Sequence, residues 1–341
     1  MNWNVGIGIT NQCNLKCSHC YSRSNRILNL SLLDVKCLCD SIRVGRANLG
    51  TGESILNLEF RRIMAALHDY GIPTSLTSNG LSISFLDPRE LALFNDIDIS
   101  IEFPNELECD SFRGHGVFEA VHEAVEKCKV ASVPVSLACC IMNINYKRIP
   151  SMLQLAQEWG VLLRANIYKP VAHKGYSLSY EQYWEAIQLL LENSELVACS
   201  EPLIVAALGL PASQGGCGRG SLRVTPEREI VPCVYWLKGD VTLDHLFEHG
   251  EEAILRSKQF KLATLIPEEC RGCPYVHECR GGCVGRRLYS DIHRPDPYCF
   301  YLSGGTVPPL RWRQSKKAAT TQLIHASYLC SIIVDPCWQK R

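Results

Sequence analysis

The sequence predicts an α/β fold: six β/α units around a parallel sheet, followed by a small cysteine-rich domain. Between residues 5 and 190, short apolar runs alternate with amphipathic segments, and that alternation calls for a parallel sheet. Ten of the 19 cysteines fall into two spaced groups, one near the start and one after residue 216. A chain of 341 residues that is 46% hydrophobic is long enough for a full core and a smaller appended domain.

The strand candidates are Val5–Thr10, Asn48–Gly50, Pro73–Thr77, Ile97–Ile101, Val133–Ile141 and Leu162–Tyr168, each followed by a helical pattern. Ser31 and Asp34 form a capping box ahead of the helix carrying Val35, Leu38 and Ile42. Phe60, Ile63, Met64 and Leu67 recur at helical spacing, and Gly71 ends that helix. Residues 1–192 are therefore expected to hold the β/α units. Residues 193–216, with LGLPASQGG, read as a bridge, 217–305 as the cysteine-rich domain and 306–341 as a basic tail. The run Leu329, Ser331, Ile332, Ile333, Val334 is expected to add a strand at a sheet edge.

Formal net charge is zero, so there is no electrostatic case for nucleic-acid binding. The opening MNWNVGIGIT has no basic leader region, and no apolar run reaches membrane-spanning length. A cytoplasmic protein without a membrane partner is expected. The cysteine spacings are those of metal sites rather than of a secreted disulfide scaffold, and exposed thiolates require a reducing interior.

The most informative motif is CNLKCSHCY, which places Cys13, Cys17 and Cys20 as CxxxCxxC. Three thiolates can hold three irons of a cubane [4Fe-4S] cluster and leave the fourth iron open to a ligand. A zinc knuckle using His19 as a fourth ligand is the alternative. The motif, closed by the aromatic Tyr21, resembles the signature of the radical S-adenosylmethionine (SAM) superfamily. That resemblance implies a partial (β/α)6 barrel of the TIM type. It also implies a radical SAM [4Fe-4S] cluster whose open iron chelates SAM, and reductive cleavage of SAM to a 5′-deoxyadenosyl radical that abstracts a substrate hydrogen.

In such barrels the reactive groups gather at the C-terminal ends of the strands, and further motifs fall there. Thr51-Gly52-Glu53-Ser54 stands where the family usually has GGEP. Gly52 is expected to let the backbone approach the ligand, and the Glu53 carboxylate to hold the SAM ammonium. Thr77-Ser78-Asn79-Gly80 resembles the family's TNG, with Ser78 and Asn79 as cofactor contacts. Ser100 and Glu102 are candidates for ribose contacts, and Tyr168 for packing on adenine. Arg113-Gly114 matches an RG element of relatives; Lys169, His173 and Lys174 lie on the loop that closes the barrel mouth.

The second cysteine group runs Cys217, x15, Cys233, a gap, Cys270-x2-Cys273-x5-Cys279-x3-Cys283, x15, Cys299. It resembles the SPASM extension, which implies two auxiliary iron-sulfur clusters. By motif position Cys270, Cys273, Cys279 and Cys299 hold one; Cys217, Cys233 and Cys283 hold the other, which is one ligand short and has an open iron. Water, substrate or another cysteine completes it, with Cys330 and Cys337 as the candidates in the tail. Zinc is the alternative occupant. Arg228 replaces a glycine usual before the second cysteine, so an altered hairpin is expected. The remaining cysteines read as small buried hydrophobes.

The resemblance implies a maturase of ribosomally made precursor peptides, of the kind acting on Nif11-type precursors. Two outcomes are expected: splicing, which excises tyramine and leaves an α-keto-β-amino acid, or crosslinking. Sulfatase-maturase-like oxidation, and a non-catalytic Fe-S electron carrier or zinc scaffold, are the competing readings. The partners implied are a precursor peptide with a leader and a reductant such as flavodoxin or ferredoxin. The β/α pattern begins within ten residues of Met1, so a separate leader-recognition protein is also expected.

Overall fold

The computed structural model describes residues 1–22, 26–171, 174–211, 216–305, 307–319 and 330–336. Six strands form the parallel barrel wall in sequence order: β1 (Trp3–Ile7), β2 (Val44–Leu49), β3 (Thr74–Ser78), β4 (Asp96–Ser100), β5 (Val135–Ile141) and β6 (Leu162–Ile167). They are the six strands expected from the alternation. β2 starts earlier than expected, because Val44 and Arg46 pair with Trp3 and Asn4 although VGR carries no apolar alternation. Ser31 and Asp34 form the capping box of the Leu32–Ser41 helix. Phe60, Ile63, Met64 and Leu67 turn the Phe60–Asp69 helix into the core.

Five further described strands extend the sheet: β7 (Glu195–Cys199), β8 (Ser221–Val224), β9 (Glu229–Val231), β10 (Val241–Thr242) and β11 (Ile332–Asp335). Their order is β10-β9-β8-β1-β2-β3-β4-β5-β6-β11-β7. β8 lies parallel to β1, with Asn4 opposite Ser221. The segment expected as a bridge thus holds β7 and the Pro202–Ala207 helix.

Two expectations are corrected. The tail does not add to a sheet edge: β11 inserts between β6 and β7, antiparallel to both. Ile332, Ile333 and Val334 are all buried there, so the apolar run covers two strands rather than one; Leu329 lies outside the described residues. The β8–β9 hairpin keeps a glycine-type backbone at Arg228, whose φ is +65°. Its guanidinium pairs with Asp34 and Asp244, and these contacts offset the cost of the left-handed conformation.

A buried charge network ties the cysteine-rich domain to the barrel. Arg286 donates to Glu201 at 2.5 and 3.1 Å and to Asp296 at 2.6–3.0 Å. It lies over the stacked rings of Tyr183 and Tyr298, 5.4 Å from each centroid. Asp296 also accepts the Cys283 N–H at 2.8 Å. Gly282, at φ +89°, makes that approach possible, since a Cβ there would lie 2.2 Å from Asp296 Cβ. Removing one partner of such a network strands the buried charge of the others, which costs about 3–5 kcal/mol. Arg286→Met is therefore expected to lower unfolding stability by about that amount in urea denaturation; a loss below about 1 kcal/mol would remove the network from its anchoring role.

Candidate active site

One cavity at the C-terminal ends of the barrel strands collects Cys13, Cys17, Cys20, Tyr21, Gly52, Glu53, Ser78, Asn79, Ser100, Glu102 and Tyr168. These are all the residues singled out in the sequence around the cluster motif and the cofactor.

The three cysteines sit on the loop after β1. Its base is closed by the Thr10–Asn29 bridge and by Asn11, which donates to Arg26 O and accepts from Leu28 N. Cys17 is buried, Cys20 half-buried and Cys13 exposed. Leu15 N–H and Asn79 Nδ2 both approach Cys13 Sγ, at 3.4 and 3.6 Å; burial nevertheless pushes the thiol's pKa up to about 11, against the pull of the Leu15 donor. Asn79 Nδ2 also donates to Asn14, at 2.8 Å, fastening the loop to the end of β3.

Gly52 is needed for a different close approach than expected. At φ +61°, a Cβ there would meet Gln12 O at 2.4 Å and Thr10 O at 2.7 Å, so the glycine admits the cysteine loop's own backbone. Glu53 is buried, and its Oε1 accepts from Ser78 Oγ (2.6 Å), Ser82 N (2.8 Å) and Ser82 Oγ (2.5 Å). Among the described residues Oε2 accepts only the Asn79 N–H, at 2.9 Å. A carboxylate has about four lone-pair sites, so Oε2 keeps an acceptor for an ammonium.

Glu102 is engaged by Arg113 at 2.5 Å and faces His19 Nε2 at 3.4 Å. Burial would raise its pKa, but Arg113 and His19 outweigh it and hold the carboxyl down at about 2. Its contact with a sugar thus falls to lone pairs these partners leave. Arg113, readable in the sequence as a surface arginine, is buried. His19 spends Nε2 on Glu102 and stacks on Phe112, while its buried Nδ1 has no hydrogen-bond partner. Thr51 Oγ1, on the flank that departs from the family motif, is also buried without one.

Tyr168 and Lys169 both line the cavity and are buried. Lys174 is exposed and His173 lies outside the described residues. Lys169 Nζ sits 4.9 Å from the Tyr235 ring centroid. Burial pushes the ammonium pKa down, but Tyr235, Cys283 and Cys330 outweigh burial and hold it above its ordinary value.

Sequence reasoning missed several lining residues, Arg164, Arg223 and Tyr235 among them. Arg164, buried on β6, pairs with Asp98 and leaves Nε and Nη2 without partners in the cavity wall. Arg223 on β8 donates to Tyr21 Oη at 3.2 Å and lies over its ring. Tyr235 meets Tyr21 edge-on at 5.5 Å. The one available signal was the basic residue inside the apolar four-residue run SLRV.

The cysteine-rich domain gathers its thiols into two groups. Cys270, Cys273, Cys279 and Cys299 stand close enough to sense one another's charge. Cys217 is in side-chain contact with Cys233 and with Cys330, and Cys283 with Cys330. Cys337 lies outside the described residues. Among the described residues no group of three or more His, Cys, Asp and Glu side chains is set to hold a single metal ion. A four-iron cluster is larger than an ion and spreads its ligands over its corners, so its fit is judged by which thiols share a space. On that ground the three thiols of the first cavity fit an iron-sulfur cluster held by three cysteines.

Residues 7–156 match the model of the Radical SAM superfamily. The chain is 25% identical over 342 residues to mycofactocin maturase MftC of Mycolicibacterium smegmatis, covering 90% of this chain and 84% of that one. It is 22% identical over 324 residues to PqqA peptide cyclase of Methylocella silvestris, covering 85% of each. Among solved structures, Streptococcus suis SuiB bound to S-adenosylmethionine superposes with a TM-score of 0.66 at 14% identity, over 87% of this chain and 76% of that one. anSMEcpe with bound AdoMet superposes with a TM-score of 0.68 at 18% identity, over 89% and 92%. These likenesses carry the fold alone, an α/β partial barrel. No described helix is long and apolar enough to cross a membrane. Residues 7–156 are thus similar to the Radical SAM superfamily, a family that implies SAM and a [4Fe-4S] cluster, and most of the chain is similar to the mycofactocin maturases and PqqA peptide cyclases.

Proposed function

We propose that the protein is a radical SAM maturase that modifies a ribosomally made precursor peptide, with two auxiliary iron-sulfur clusters in residues 217–305. The observation that carries this reading is the composition of the cavity: the three N-terminal thiols share it with the strand-end polar residues and with Tyr235 of the cysteine-rich domain. The names of its relatives, a mycofactocin maturase and a PqqA peptide cyclase, support a peptide substrate.

A [4Fe-4S] cluster held by Cys13, Cys17 and Cys20 would supply the electron for reductive cleavage of SAM to a hydrogen-abstracting radical. The chain's own residues bind and orient. Glu53 Oε2 offers its remaining acceptor to the SAM ammonium, while its other contacts keep it rigid on the start of the Leu81–Phe85 helix. The partnerless Nε and Nη2 of Arg164 offer donors to a carboxylate in the same cavity. Tyr168 gives an aromatic face, and Tyr21, held by Gly50 O and Arg223, braces the cysteine loop against β8.

The bond change is either splicing, with tyramine excised, or crosslinking within the peptide. The precursor's leader docks through a separate recognition protein, and flavodoxin or ferredoxin supplies electrons. Tight leader binding by this enzyme alone would remove the need for that protein.

Two experiments test the reading. Replacing Cys13, Cys17 and Cys20 by alanine is expected to remove about four irons per chain and bring 5′-deoxyadenosine release to background, with the remaining iron retained; SAM cleavage surviving the substitutions would overturn it. Coexpression with small peptide genes encoded beside it, read by mass spectrometry, is expected to give a modified peptide. A loss matching tyramine identifies splicing and a loss of two hydrogens crosslinking; an unmodified peptide beside an enzyme that cleaves SAM would overturn the peptide substrate.

A further inference from the structure

The Cys217, Cys233 and Cys283 set is one thiolate short of closing a cubane, and a further cysteine, Cys330, stands beside it. β11 runs antiparallel to β6 and β7, so its first residues lie at the rim where those strands end. Ile332 is opposite Ala165 and Cys199. Just before it, Ser331 N donates to Ser200 Oγ at 3.1 Å and Ser331 O accepts from Ser200 N at 2.9 Å. That double tie fixes the backbone on which Cys330 stands. Its side chain reaches the thiols of Cys217 and Cys283, and the three line one cavity beside Gly282 and Arg287. Cys233 completes the group through its contact with Cys217; its Sγ would lie 3.6 Å from a Cβ at Gly285.

Lys169 packs beside the same thiols. It is buried, with Nζ 4.9 Å from the Tyr235 ring centroid, and among the described residues no carboxylate forms an ion pair with it. The charge-bearing groups around it are Tyr235, Tyr298, Glu201, Arg286 and the thiols of Cys140, Cys233, Cys283 and Cys330. A cluster held by four thiolates carries net negative charge, which suits a basic side chain in that wall.

We infer that Cys330 is the fourth protein ligand of the auxiliary cluster held by Cys217, Cys233 and Cys283, which is therefore fully ligated by the chain and has no iron open to substrate. The inference rests on the reading that residues 217–305 hold auxiliary clusters. Binding converts the Cys330 thiol to an iron-bound thiolate and releases its proton to solvent. A closed cluster exchanges electrons with a nearby reaction but does not bind the substrate's own thiolate.

The test uses the full chain carrying the Cys13, Cys17 and Cys20 alanine substitutions, so that the radical SAM cluster's open iron does not interfere. After anaerobic reconstitution this parent is expected to hold about eight irons, with an EPR spectrum of the reduced protein that does not respond to cyanide. Adding Cys330→Ala is expected either to remove about four irons or to keep them while making the spectrum cyanide-sensitive, as an opened iron gains a ligand. Cys330→Ser, which preserves the side-chain volume, is expected to keep the iron with an altered spectrum even where the alanine variant folds poorly. A Cys330→Ala protein with the parent's iron content, spectrum and cyanide insensitivity would overturn the assignment while leaving the auxiliary clusters standing. A parent without iron would overturn the auxiliary-cluster reading itself, and the assignment with it.

Discussion

Arg286 is the interaction on which the two halves of the molecule depend. One guanidinium serves two buried carboxylates: Glu201 from the turn after β7, and Asp296 from the cysteine-rich domain. Burial pushes the Glu201 carboxyl up against the pull of Arg286, as expected where two acids share one cation in a site of low polarity. Tyr183, from the Tyr180–Glu192 helix, and Tyr298 stack beneath the guanidinium and extend the tie into the barrel core. Because Asp296 also receives the Cys283 N–H, the position of a candidate cluster ligand is set by the same acid that anchors the domain. Docking and ligand geometry are thus one constraint.

That constraint brings the cysteine-rich domain's polar and aromatic side chains into the barrel mouth. Arg223, Tyr21, Tyr235 and Lys169 form a continuous chain of ring and cation contacts from the cysteine loop to the thiols of Cys283 and Cys330. Cations over aromatic faces are worth more when desolvated, and here the rings also exclude water. The wall between the two thiol groups is therefore packed side chain.

Much of this was legible in the sequence. Six strands follow from alternation of apolar runs with amphipathic segments, and the residues chosen at their C-terminal ends share one cavity because parallel strands end on one face. Three kinds of feature were hidden. β2 extends through Gly45 and Arg46 because pairing with β1, not side-chain pattern, makes it a strand. Burial of Arg164 and Arg286 has no local signal, since their partners are distant in the chain: Asp98 lies 66 positions from Arg164 and Glu201 85 positions from Arg286. Gly52 was read as making room for a ligand, whereas the carbonyls it admits belong to the loop between two other motifs.

The tail's place in the sheet turns on strand direction. A last strand running parallel to β6 would bring its final residues to the reactive rim and its entry to the opposite end. Running antiparallel, β11 instead delivers its entry, Cys330 and Ser331, to the level where β6 passes into Tyr168 and Lys169. The apolar run Ile332, Ile333 and Val334 supplies the burial that holds the strand between two neighbours. Asp335, opposite Glu195 and paired with Lys317 at 2.9 Å, secures the far end. A short segment with no catalytic signature of its own therefore positions a thiol at the junction of both halves, because its hydrophobic residues follow that thiol in the chain instead of preceding it.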